Sequence, residues 1–409
     1  MALLGDSELR NRVERLAAID RPSASAGEAR AAEEIAAELR DQGARVRIEH
    51  EPAHGTYWWP VGLLCGAAAV VGLLRGRLAA FLTGAFGAVA LTDDLTGGQQ
   101  WFRRRFLPTR ITTNVVAEMG PEDAPRTVVV IAHHDAAHSG LVFDGDPPRR
   151  LFKRFPGLNE RINTTPPTMW GAVGAPALVA LGALLNRRGL RRAGAVLGLG
   201  YAAAMTDIGL RDVVPGANDN LSGVAVLLSL AHSLREDPVD GVRVILLSAG
   251  SEESFMEGTQ GFARRHFGEL PREITTFICN ESVGSPNLLI LEGEGMLWMN
   301  EYPRDLLART TQCAQELDIP LWPGLRTRNA TDGLIPLRAG YPTVTLAACD
   351  EYKLPINYHW PTDTADRLDY STVADCARLN RRLIERLATD AVPARARPAR
   401  PASGALPSP

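Results

Sequence analysis

Five polar clusters hold the side chains of this 409-residue chain that could do chemistry: His133-His134-Asp135, Asp219, Glu252-Glu253, Glu281 and Tyr358-His359. Each stands where an apolar, strand-like run ends. Groups remote in sequence would therefore converge at the carboxyl edge of one sheet, the usual place for a ligand site in an α/β protein. Imidazole and carboxylate are zinc donors, binding at roughly 2.0–2.2 Å, and a catalytic ion keeps one position open for water. Two His and three carboxylates suffice for two ions, provided that one carboxylate bridges them. Asp219 suits the bridge because it sits in the turn PGANDN, just ahead of a helix.

Glu252 and Glu253 follow the strand run ending in SAGSEES. Neighbouring side chains in an extended or turning segment point different ways, so one carboxylate can bind metal while the other faces the attacking water. That division suits hydrolysis, in which a free Glu takes a proton and returns it to the leaving amine. Singly, each residue has an ordinary reading: a strand-end histidine, a helix cap, a solvated pair of acids. Together, at successive strand ends, they point to one site.

The elements that must position them follow from periodicity. Apolar spacing predicts helices over 7–19, 25–43, 220–234, 302–317 and 371–387, with Ser25-x-x-Glu28 in capping-box form. Strands are predicted over 45–51, 112–119, 126–133, 242–249, 274–279, 288–291 and 342–346. Their alternation gives an α/β fold, a three-layer α/β/α arrangement around a mixed, mostly parallel sheet. Two inserts interrupt it. The apolar stretches 57–74 and 78–91 flank Arg75-Gly76-Arg77, and 170–185 and 193–205 flank the turn 186–192, so each pair reads as a helical hairpin. Most are shorter than the ~20 residues of a spanning helix, which favours shallow, re-entrant or interfacial membrane insertion, the alternative being a small soluble helical subdomain or dimer interface. Tyr57, Trp58, Trp59 and Trp170 read as interface aromatics. Arginines at the hairpin tips and at 103–105 and 149–154 leave the orientation open. The domain is expected to run over 1–390, broken by inserts at 57–91 and 169–205, with a disordered tail over 391–409.

Composition excludes several classes. A net charge of −3 gives no basic face for nucleic acid. Five dispersed cysteines without a C-x-x-C pair argue against a disulfide framework. The charged first helix leaves no room for the apolar core of a cleavable leader, so none is expected.

Taken in order, IAHHDAAHSG, PGANDNLSGVAVLL, LLSAGSEESFMEGTQGF, FICNESVG, TDGLIPLRAGYPTVTL and NYHWPTDT resemble the motifs of the co-catalytic zinc aminopeptidases of peptidase clan MH. That family includes bacterial leucyl-type aminopeptidases, glutamate carboxypeptidase II and glutaminyl cyclases. The resemblance implies two zinc ions, with His133 and Glu281 on one, Glu253 and His359 on the other, and Asp219 between. It implies Glu252 as general base, Asp135 as the carboxylate orienting a ligand, and Tyr358 as a group that polarises the scissile carbonyl. His134 is read as packing and His138 as rim. Glu281 stands where Asp is commoner, Asn218 where a second Asp is often found, and the interval from Asp135 to Asp219 is unusually long because it holds the second hairpin. The expected activity is removal of N-terminal residues from peptides by a metal-activated water. The alternatives are a glutaminyl cyclase-like acyltransferase and a metal-free, membrane-bound binding or assembly module.

Overall fold

The computed structural model describes residues 3–390; the tail expected to be disordered lies outside them. Nine strands form one mixed sheet: β1 (Arg45–Ala53), β2 (Arg110–Met119), β3 (Arg126–His133), β4 (Val242–Ala249), β5 (Thr275–Glu281), β6 (Asn287–Glu294), β7 (Asn300–Glu301), β8 (Leu325–Thr327) and β9 (Thr343–Cys349), in the order β1-β2-β4-β3-β5-β9-β6-β7 with β8 beside β6. Its centre, β4-β3-β5-β9, is parallel, and β2 and β6 flank it antiparallel. The run TVVVIAH in β3 is buried along nearly its whole length, as a strand covered on both faces requires.

The helices are α1 (Asp6–Ala17), α2 (Ala26–Asp41), α3 (Trp58–Leu74), α4 (Arg77–Leu95), α5 (Trp101–Phe106), α6 (Asp146–Arg154), α7 (Pro156–Arg161), α8 (Trp170–Leu184), α9 (Arg188–Leu210), α10 (Ser222–Glu236), α11 (Glu257–His266), α12 (Arg304–Glu316), α13 (Leu334–Arg338) and α14 (Tyr370–Ala388). Helices α1, α2, α10 and α14 cover one face of the sheet through a core that includes Leu9, Ile35, Leu227 and Leu383. Phe262 on α11, with Phe277 and Tyr341, fills the other face.

The two inserts pack on each other as a four-helix bundle, in which α3 adjoins α4 and α9 while α8 adjoins α4 and α9. Small residues permit the close approach. A Cβ on Gly84 would lie 2.6 Å from the Pro176 carbonyl oxygen, one on Gly194 2.7 Å from that of Ala175, and one on Gly198 2.9 Å from that of Cys65.

Two expectations need correcting. The turn predicted over 186–192 shrinks, because Asn186 takes the left-handed conformation (φ 52°) that ends α8 and helix resumes at Arg188. Arginine is a good helix former, so Arg191 and Arg192 join α9 rather than interrupting it. Tyr57 and Trp58 are not interface aromatics. They are 7% and 6% exposed, Tyr57 stacked on Phe255 and Trp58 against His138, whereas Trp59 and Trp170 face outward.

Candidate metal centre

Strand order reverses at β3, with β4 on one side and β5 on the other, and the crevice beyond such a point collects the loops that follow each strand. His133 is the last residue of β3, Glu281 the last of β5, and Glu252-Glu253 follow β4. The expectation that every cluster ends a strand-like run fails for Asp219, which arrives from the segment between the helices α9 and α10, and His359 comes from well along the loop after β9.

These groups meet at one place. Asp219 offers its oxygens to different imidazoles: Oδ1 is 3.2 Å from His133 Nε2, and Oδ2 is 3.1 Å from His359 Nε2. On the first side Glu281 Oε1 is 3.7 Å from His133 Nε2, and on the second Glu253 Oε2 is 3.2 Å from His359 Nε2. Donors arranged tetrahedrally around a zinc ion lie roughly 3.3–3.6 Å apart, given bonds of 2.0–2.2 Å. The spacing is therefore that of ligands.

Orphaned atoms give a second test of fit. His133 Nε2, Asp219 Oδ1 and Glu253 Oε1 are buried with no aligned hydrogen-bond partner, and ligand atoms of His133, Asp219 and Glu253 lie within 4.8 Å of one another. Buried polar atoms without partners are rare because each forfeits its solvation. A divalent cation would satisfy all of them, and the donor set of nitrogen and oxygen suits zinc.

Charges are strongly perturbed here. Burial would depress both histidines, but the surrounding carboxylates prevail: Glu253 and Asp219 push His359 up to about 10, and Glu281 with Asp135 and Asp219 raises His133. Burial lifts Glu281 to about 8 against the opposing pull of His133. Burial also raises Glu252, helped by Glu281, Glu253 and Asp332 and opposed by His133. Asp219 moves down, since its contacts with His133 and His359 outweigh burial.

Glu252 and Glu253 do diverge. Glu253 faces His359, while Glu252 lies 3.8 Å from His133 Nε2 and lines the cavity. Asp135 holds both from below: Oδ1 accepts from Glu252 N (3.0 Å), and Oδ2 accepts from Glu253 N (3.2 Å) and Ser23 Oγ (2.6 Å). The same carboxylate is 3.3 Å from His133 Nδ1. Tyr358 stacks on His359 with ring centroids 3.9 Å apart, and Phe143 meets His359 edge-on. His134 is buried and bonds Ser248 Oγ through Nδ1, away from the donors, and His138 bonds the Arg211 carbonyl.

Three positioning groups, Arg21, Asp363 and Glu28, and one unpartnered buried acid, Asp332, were not singled out from the sequence. Arg21, fully buried, donates to the carbonyls of His134, Pro215 and Gly216, each at 2.7 Å, and ties the end of β3 to the Asp219 turn. Asp363 accepts from Asn218 N (2.7 Å) and Asp219 N (3.1 Å). Glu28, read as half of a capping box, turns inward to accept from Ala24 N, Thr112 Oγ1, Thr113 N, and both Ser251 N and Ser251 Oγ, bracing the loop that carries Glu252. Asp332 is buried with both carboxylate oxygens unpartnered, and burial raises it to about 6. Asp332 and Asp363 stand inside the TDGLIPLRAGYPTVTL and NYHWPTDT motifs, which was the available signal; Arg21 and Glu28 gave none.

A cavity of about 1110 Å³ opens over this centre. Asp219, Glu252, Glu253, Glu281, Tyr358 and His359 form its floor, and Tyr57, Phe143, Phe255 and α9 form its walls.

Residues 204–384 match the model of Peptidase family M28, a segment holding Asp219, Glu252, Glu253, Glu281 and His359. The uncharacterized protein YfbL of Escherichia coli (strain K12) is 28% identical over 186 residues, covering 39% of this chain and 56% of that one, so the match spans just over half of that relative's length. Among solved structures, a Zn-dependent exopeptidase from Parabacteroides distasonis superposes with a TM-score of 0.56 at 13% identity, covering 94% of this chain and 98% of that one. A leucine aminopeptidase precursor from Bacteroides thetaiotaomicron gives 0.56 at 14% identity (94% and 97%), and the glutaminyl cyclase of Tannerella forsythia 0.57 at 14% (94% and 99%). The resemblance read from the motifs holds, and the mixed sheet between helical layers is the fold of zinc-dependent exopeptidases.

Proposed function

We propose that this chain is a zinc-dependent aminopeptidase with two ions per chain, releasing N-terminal residues from peptides. The observation that carries the reading is Asp219, which presents one oxygen to His133 and the other to His359 at ligand spacing. His133, Glu281 and Asp219 would hold one ion, and His359, Glu253 and Asp219 the other. Zinc, when bound, lowers the pKa of water to roughly 7 and polarises a carbonyl.

The remaining work falls to the protein. Glu252 takes a proton at its carboxylate from the attacking water and delivers it to the amine nitrogen of the leaving peptide. Burial that raises Glu252 suits a group which must hold that proton between the two events. The Tyr358 hydroxyl, kept protonated by burial and by Asp219, can donate to the scissile carbonyl oxygen. Asp135 fixes the backbone of both glutamates, so that their carboxylates stay apart.

The test is metal content by mass spectrometry together with turnover of leucyl-nitroanilide. We expect about two zinc per chain, with Glu252→Gln losing roughly 10²- to 10⁴-fold in kcat while metal content and thermal stability are retained. Unchanged turnover in that variant refutes the assigned base. About one zinc per chain, with cyclisation of N-terminal glutamine in place of hydrolysis, transfers the reading to the cyclase-like alternative.

A further inference from the structure

The second hairpin belongs to two surfaces at once. Along α9, Val196, Gly200, Ala204 and Ile208 recur every fourth residue, with Leu197, Tyr201 and Met205 beside them, and this stripe is one wall of the cavity over the donor cluster. The adjacent stripe, Gly194 and Gly198, packs on α8 and α3. A third, including Leu199 and Leu210, faces outward. Val196 lines the cavity and is still 68% exposed, so the cavity opens at the outer apolar face of the bundle.

That outer face has the chemistry of a lipid-exposed surface. Leu74, Leu78 and Leu82, Val89, Leu184 and Leu210 are all more than half exposed. The helices α4 and α9 run beyond the apolar stretches 78–91 and 193–205, which the sequence alone made too short to span, and pass for membrane spans in length and hydropathy, yet less than half of either is buried, unlike the core helix of a soluble domain. At 1.5 Å per residue their 19 and 23 residues measure about 28 and 34 Å, against a hydrocarbon thickness of about 30 Å. Close packing through Gly84, Gly194 and Gly198 is the mode used where helices lack a hydrophobic drive to associate. Both hairpin turns lie at the same end, since Arg77 donates to the carbonyls of Ala183 and Leu184. Exposed Arg75, Arg77, Arg187, Arg188 and Arg192 therefore gather there, complementary to anionic headgroups.

We infer that the bundle sits in a lipid bilayer and that α9 forms a lateral entrance, so that the substrates are peptides with apolar N-terminal residues taken from the membrane. The inference rests on the peptidase reading for its chemistry. It adds the substrate class and the route.

The full chain is tested on vesicles of mixed phosphatidylcholine and phosphatidylglycerol with two substrates: soluble leucyl-nitroanilide, and a peptide with an apolar N-terminal run anchored in the vesicles. We expect the chain to float with the vesicles and to prefer the anchored peptide in kcat/KM by roughly 10- to 200-fold, the range that apolar pocket contacts give. Gly200→Trp narrows the entrance without disturbing the fold, because a Cβ there meets nothing within 4 Å. Its KM for the anchored peptide should rise about 10-fold. Turnover of neither substrate defeats the peptidase reading itself. Turnover of leucyl-nitroanilide without preference for the anchored peptide, or without a KM effect of Gly200→Trp, overturns the entrance and leaves that reading intact. A chain that stays with the soluble fraction, its bundle faces covered by a second copy, also overturns it.

Discussion

Replacing Asp135 by asparagine removes one charge and one acceptor from a carboxylate that accepts from Glu252 N, Glu253 N and Ser23 Oγ and lies 3.3 Å from His133 Nδ1. The amide can keep its oxygen at the Oδ1 position, accepting from Glu252 N, and place its NH2 where Oδ2 now stands. Ser23 can then rotate its hydroxyl to accept, but Glu253 N has no such freedom and loses its 3.2 Å bond. One buried, unsatisfied N–H costs about 1–3 kcal/mol, with the upper part apt because the lost acceptor is ionised. The opposite orientation sets the amide N–H against Glu252 N and costs at least as much. Either way the backbone carrying Glu253 relaxes, and disturbing the orienting partner of a metal ligand typically costs 10- to 100-fold in affinity or activity. Asp135→Asn should therefore lower kcat by about that factor, release zinc to a chelator more readily, and unfold at lower denaturant by an amount equivalent to about 2 kcal/mol. Kinetics, chelator competition and urea titration read the three effects separately. A variant with wild-type turnover and zinc retention would refute the role given to Asp135.

Other consequences follow from the same geometry. His133 and His359 are both raised by the carboxylates around them, while zinc takes only neutral imidazole, so zinc binding should release protons and weaken as pH falls; calorimetry in buffers of different ionisation enthalpy measures the release, and a buffer-independent enthalpy would contradict it. Glu257 is buried, which would raise it, yet His54, Arg103 and the backbone and hydroxyl donors around it bring it down to about 2 from 4.5. A depressed acid stabilises above its unfolded value and loses that contribution as pH falls through the folded one, so Glu257→Gln should cost about 3 kcal/mol at neutral pH. Its deficit relative to wild type should shrink between pH 4.5 and 2, and a constant deficit in denaturant titrations would exclude the linkage. Gly198→Leu drives a side chain into the Cys65 carbonyl and should destabilise the bundle by about 1–3 kcal/mol, seen as a lower melting temperature.

Much of the centre was legible because donor chemistry is a property of residue type. His133, Asp219, Glu252, Glu253, Glu281 and His359 sit at strand or loop positions that the apolar runs mark out, and the structure brings all six together. Local periodicity likewise located seven of the nine strands to within a few residues, missing the two- and three-residue β7 and β8, and the ends moved where pairing with a neighbour extended them. Strand β6 runs over Asn287–Glu294, beyond the apolar 288–291, because β8 and β9 supply partners for its polar ends.

Glu28 shows the limit. In sequence it is a helix-capping acid, and its contact with Ser251 spans 223 positions that no local pattern encodes. Arg21 and Tyr57 were hidden for the same reason. The sequence by itself determined which donors exist, where the long core helices and strands run, and that four apolar stretches interrupt them, but not the short elements β7, β8, α5, α6, α7, α11 and α13. Tertiary structure alone decided that β3 takes the switch point, that Asp219 divides its oxygens between two imidazoles, and that α9 walls the cavity. Propensity and periodicity act within a few residues of chain, whereas convergence depends on strand order and long-range burial, to which the whole chain contributes.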